Sequence, residues 1–171
     1  MTDQTTRPIL DFWCDFASTY SYVAAMRIAP LAERAGVSVR WRPFLLGPIF
    51  QAQGLDNSPF NIFPVKGQYM WRDLGRLCAG IDVPFVRPQV FPQSSVLAAR
   101  VALVGLREGW GEDFSRAVFR AEFADGLLIS ETATIEAILS SLGVNAGEVL
   151  ALALDASNKA AIRLFMQVTV R

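Results

Sequence analysis

The chain has no histidine among its 171 residues. That absence removes the Ser-His-Asp triad, the Cys-His pair and the histidine-ligated zinc site from what one chain can build, and no metal site is expected. Sulfur is scarce as well. Cys14 and Cys78 are far apart and neither stands in a C-x-x-C, so thioredoxin-type disulfide exchange lacks its second sulfur. Lysine occurs only at Lys66 and Lys159. The 16 basic and 16 acidic residues cancel, so no global field draws the chain to nucleic acid or anionic lipid. No apolar run approaches the roughly 18 residues that span a bilayer. Met1 to Thr6 is polar, without the apolar core of a secretory signal. A cytoplasmic location is expected. A catalyst of this composition relies on hydroxyls, carboxylates, Lys66 or a borrowed cofactor.

What is present suits a compact chain: 52% hydrophobic and 19% charged residues, enough for one core or a core with a helical insertion. Pro8 to Trp13 reads as a largely buried strand. Tyr20 to Ala35 has apolar residues at helical spacing, with Pro30 inside the pattern and Gly36 as its stop. Residues 37–42 alternate apolar and polar, the mark of a half-buried strand. The three segments form a β-α-β unit, which favours a parallel strand pair. Pro43 to Val65 is expected to be mostly irregular, with one turn of helix near Ile49-Phe50. Lys66 to Ala79 is helical by pattern, Ile81 to Pro92 extended. Further helices are expected over 94–108, 113–124, 132–142, 146–154 and from Asn158 onward, with Ser130 and Asn145 as N-caps.

In a β-α-β unit, ligands collect where the first strand ends and the helix begins, facing the unpaired N–H groups of the helix end. The sequence there runs Asp15-Phe16-Ala17-Ser18-Thr19-Tyr20-Ser21-Tyr22. Ser18 and Ser21 occupy the two positions a C-x-x-C fills in a thioredoxin-like fold. A serine cannot exchange disulfides, but its hydroxyl can donate to another molecule's thiolate. Such a bond is worth about 1.5–3 kcal/mol and the helix end roughly 0.3–1 kcal/mol. Together they lower a bound thiol's pKa by ~1–3 units. Ser18 also has a plain reading as an N-cap. Cys14 and Cys78 read as core residues.

Several stretches together resemble the 2-hydroxychromene-2-carboxylate isomerase and kappa-class glutathione transferase family. They are residues 11–22, Trp41-Arg42-Pro43-Phe44-Leu45-Leu46-Gly47, Asn57-Ser58-Pro59, Pro64-Val65-Lys66-Gly67-Gln68-Tyr69-Met70, Phe91-Pro92, Ala98-Ala99-Arg100 and Phe119-Arg120-Ala121. The likeness spans about Ile9 to Arg163. It implies an α/β, DsbA-like variant of the thioredoxin fold, with a helical domain inserted after the second strand. The implied division is residues 1–47 for the first part of the thioredoxin-like domain, 48–157 for the insertion, and 158–171 for the start of a return helix and a divergent tail.

The resemblance further implies glutathione as cofactor and Ser18 as the catalytic residue that contacts its sulfur. Asn57 would help hold the tripeptide, and Lys66 would face an acidic group of glutathione or of a small aromatic carboxylate substrate. The implied reaction is glutathione addition, ring opening, bond rotation and elimination. Conjugation or peroxide reduction by a kappa-like transferase, or a fragment that only binds a partner or small aromatic, are the alternatives. Asn57 reads equally as a turn residue and Lys66 as a solvated residue at a helix start. Two departures stand out. Thr19 replaces the family's proline after the serine, and no Gly-x-x-Gly-x-Pro segment, β-hairpin or final helix is recognisable, so the sequence reads as truncated near Arg163. The first strand is then expected to need cover, either from a tail strand at Val168-Thr169-Val170 or from a second subunit in a homodimer.

Overall fold

The structure, a computed structural model, describes the backbone of residues 7–169 and the side chains of residues 7–163. Strand β1, Ile9–Cys14, leads through a short turn into helix α1, Thr19–Ala35, and back into strand β2, Ser38–Pro43. The two strands pair in parallel, from Ile9 opposite Ser38 to Cys14 opposite Pro43. Gly36 ends α1 at φ 66°, where its N–H reaches the carbonyls of Ala32 and Glu33. A side chain would be strained in that left-handed conformation. Helix α1 runs through Pro30 without a break in its assignment.

The β-α-β unit is followed by helices α2 (Leu46–Ala52), α3 (Pro59–Ile62), α4 (Pro64–Gly80), α5 (Val96–Glu108), α6 (Gly111–Phe123), α7 (Thr132–Ser141), α8 (Ala146–Leu154) and α9 (Ala156–Thr169). Helix α5 lies at the centre, with Ala98, Ala99, Val101, Ala102, Leu103 and Val104 all buried. A helix that is apolar around its circumference must be enclosed, and α5 packs against β2, α6, α8 and α9. The core runs continuously from Cys14, Phe16 and Trp41 through α5 and α6 to Ile162. Cys14 and Cys78 are both buried and unpaired, as their reading as core residues requires.

Four expectations need correction. Residues 43–65 hold the helical turn expected near Ile49-Phe50, as α2, and a second short helix besides, because Pro48 and Pro59 both fall in a first turn, where a missing N–H costs nothing. Strand β1 is exposed over Ile9 to Asp11 and buried only at Cys14; among the described residues the sheet has two strands. Ser130 does not cap α7. The N-cap is Glu131, and the Ser130 N–H donates to Gln93 Oε1 instead. Val168 and Thr169 continue α9 and form no strand, while Val170 lies outside the described residues. Asn145, by contrast, does cap α8, accepting the Glu148 N–H.

Candidate functional site

Phe44 N–H donates to the Cys14 carbonyl at 3.0 Å, which joins the chain beyond β2 to the end of β1. The main chain then turns at Asp15–Ser18, with the Ser18 N–H on the Asp15 carbonyl at 3.0 Å. Ser18 becomes the N-cap of α1, its Oγ accepting the Ser21 N–H at 3.3 Å. That contact uses the oxygen and leaves the hydroxyl proton to donate. The N-cap reading is thus correct, and compatible with a second role toward a ligand.

In front of this turn lies a cavity of about 460 Å³, lined by Ser18, Asn57, Phe60, Phe91 and Ser95 among others. Its size is that of a small-molecule site. One wall comes from α2 and α3, another from the 91–96 segment where α5 begins. Ser58 caps α3 by accepting the Phe60 N–H at 3.3 Å. Asn57 Oδ1 accepts from Ser58 N–H at 2.7 Å and Asn61 Nδ2 at 3.1 Å, and Asn61 Nδ2 also reaches the Phe91 carbonyl at 2.9 Å. The Asn57 oxygen therefore holds its own loop, and the donors of this side chain are the two N–H bonds of its amide.

Ser18 and Asn57, 39 positions apart, are brought to one cavity. Lys66 is not. It is exposed on the first turn of α4 and lies outside the lining. Its neighbour Gly67 explains the geometry. Gly67 is the buried residue of that turn, and Lys66, about 100° further round the helix, is left exposed. Trp71 packs as expected of a tryptophan on that helix, its ring 4.8 Å from that of Phe91 and stacked at 6.3 Å on Phe85. Asp73 accepts the Tyr20 hydroxyl at 2.9 Å, tying α4 to α1.

Asp15 was not singled out by sequence, although it is the buried carboxylate of the cavity wall. Burial pushes its pKa up, and bonds from the Leu46 N–H and the Ala17 N–H, with the Ser95 side chain close by, oppose that. Behind it, Glu122 on α6 is fully buried with no hydrogen-bond partner on either carboxyl oxygen. Burial, assisted by the charge of Asp15, pushes Glu122 up to about 9. Burial also raises the Cys14 thiol, with Asp15 adding to the effect. An inert thiol follows, since the thiolate is the reactive form. Among the described residues no cluster fit to hold a metal occurs, and no helix is long and apolar enough to cross a membrane.

Comparison with known proteins bears on the same elements. The model of the DSBA-like thioredoxin domain matches residues 9–170. Glutathione S-transferase kappa 1 of Caenorhabditis elegans is 34% identical over 85 residues, 49% of this chain and 37% of that protein. The 2-hydroxychromene-2-carboxylate isomerase of Sphingobium xenophagum is 31% identical over 120 residues, covering 69% and 60%. The chain thus spans 60% or less of the length of these two relatives. A solved 2-hydroxychromene-2-carboxylate isomerase superposes with a TM-score of 0.84 at 21% identity, over 95% of this chain and 79% of that one. The cytosolic disulfide reductase DsbM of Pseudomonas aeruginosa superposes at 0.66 and 18% identity, over 95% and 77%. At these identities the superpositions show the DsbA-like thioredoxin fold.

Proposed function

Because the chain belongs to the DSBA-like thioredoxin domain family, we propose that it is a glutathione-dependent isomerase of the 2-hydroxychromene-2-carboxylate type, with its thiol site at Ser18. The observation that carries this reading is the placement of Ser18. Its hydroxyl caps a 17-residue helix and lines a cavity that also takes in Asn57. The residues suit the cofactor: a hydroxyl free to donate toward a thiolate, a helix start that favours negative charge, and an amide for a peptide carbonyl. Glutathione, when bound, supplies the nucleophilic sulfur that opens the ring by addition and is restored by elimination. Ser18 holds the sulfur in its charged form both on entry and on departure. Phe60 and Phe91 supply the apolar surface for an aromatic ring. Relatives named as isomerases and a kappa-class transferase support thiol chemistry of this general kind.

Calorimetry with glutathione tests the cofactor, and product identity separates isomerisation from conjugation. Binding of glutathione together with conversion of a 2-hydroxychromene-2-carboxylate to its open-chain isomer is the expected result. A conjugate as the main product would replace isomerase with transferase. No detectable glutathione binding would remove both.

A further inference from the structure

Asp15 is 3% exposed and sits where three helices start. Its Oδ1 accepts the Ala17 N–H at 3.0 Å and its Oδ2 the Leu46 N–H at 2.6 Å. The Ser95 side chain lies close enough to favour its charged form. Ala17 leads into Ser18 and α1, Leu46 is the first residue of α2, and Ser95 is the N-cap of α5. Asp15, Ala17, Ser18, Leu46 and Ser95 all line the cavity.

We propose that Asp15 is the positioning residue of this cavity, a single internal carboxylate that fixes the Ser18 turn and the start of α2 relative to one another. Bonds to an ionised acceptor are shorter and stronger than those between neutral groups, and first-turn N–H groups have no helical partner to compete for them. The two oxygens serve different walls, so the function belongs to a carboxylate. An asparagine would set its own NH2 against one of the two N–H donors. Glu122 of α6 is the other carboxyl group near Asp15, and it has no donor to hold a charge. The two N–H groups on Asp15 favour charge there over the donorless Glu122.

The prediction about ligand affinity rests on the glutathione reading; that about the cavity walls does not. The full-length chain carrying Asp15→Asn, Leu46→Pro, or both supplies the test. Proline suits position 46, the first helical residue of α2, and Leu45 before it is already extended at φ −123°, ψ 120°. Leu46→Pro deletes the N–H that Asp15 accepts and leaves the charge in place. Without ligand, amide hydrogen exchange at Phe50, Gln51 and Ala52 of α2 is expected to quicken about tenfold in each single variant and no further in the double. Glutathione affinity is expected to fall about tenfold in Asp15→Asn and in Leu46→Pro alike and no further in the double, whereas loss of the Leu46 side chain from the cavity wall alone would leave Asp15→Asn at parental affinity. Parental exchange in α2 in either single variant would overturn the proposal, as would additive effects in the double. If Asp15→Asn fails to fold, Leu46→Pro alone decides by the same exchange readout. If the parent does not bind glutathione, the functional reading fails and the exchange result still decides the role of Asp15.

Discussion

Gly67 of α4 faces the Phe60 carbonyl oxygen of α3 so closely that a Cβ built on it would lie 2.1 Å from that oxygen. Phe60 is itself part of the cavity wall, so the smallest residue of α4's first turn sets how near that wall approaches the rest of the protein. Gly67→Ala must push backbone away from backbone. Overpacking of this kind costs about 1–3 kcal/mol, more than the gain of roughly 0.8–1 kcal/mol that alanine brings to a helix interior. Urea unfolding of the variant measures the net loss. A variant at least as stable as the parent would show that α3 can retreat freely.

Ser18→Ala and Ser18→Asp separate the two uses of one hydroxyl. Alanine loses the cap on the Ser21 N–H, at about 0.5–2 kcal/mol of stability, and also loses the donor to a thiolate. Aspartate keeps a capping acceptor but, when ionised, has nothing to donate. Loss of a charge-assisted bond of about 1.5–3 kcal/mol predicts turnover slowed about 10- to 150-fold in the alanine variant. The aspartate variant should be slowed at least as much, with its stability retained. Ring-opening rates at saturating glutathione provide the comparison. Parental turnover in either variant would release Ser18 from the chemistry.

The buried carboxyl pair gives the fold a pH dependence of definite sign. Glu122 moves from 4.5 to about 9 on folding, so between these values the folded chain holds a proton that the unfolded chain has released. Stability must then fall as pH rises through this range and level off above it. The slope for one proton reaches about 1.36 kcal/mol per pH unit, and it belongs to the coupled Asp15–Glu122 pair. Glu122→Gln cannot ionise, so the variant should exceed the parent in stability at pH 8 and converge with it near pH 5. Denaturation midpoints at pH 5, 7 and 8 measure both slopes. Equal slopes would place the titration elsewhere.

Strand β1 carries Ile9 at 60% and Leu10 at 48% exposure. Apolar residues on a strand with one paired neighbour among the described residues favour association with another chain. We expect a homodimer at micromolar concentration that Leu10→Lys dissociates, as read by sedimentation. A monomeric parent would refute it.

The β-α-β unit was legible because each of its segments has a clear period and Gly36 marks the return. Helix α2 was legible only as a turn near Ile49-Phe50 and α3 not at all, since four prolines between 43 and 65 mask elements only seven and four residues long. The meeting of Ser18 with Asn57 was legible only through family resemblance, as no local pattern links positions so far apart. Asp15 left no trace of its role. Its two hydrogen-bond donors are main-chain N–H groups, which every residue but proline carries, so their convergence has no signature in residue types. The position of Lys66 outside the cavity lining was not legible either, because the glycine beside it, and not its charge, is what packs against α3.

Neither α2 nor α3 contains a buried residue, although together they form much of one wall of the cavity. This one wall is thus set apart from the buried interior, whereas Asp15 and Ser18 serve both the cavity and the fold. Substitutions at Phe50, Gln51 or Asn61 can reshape what the cavity admits with little effect on the interior around α5. Selectivity here is open to redesign, position by position, on a scaffold that stays the same.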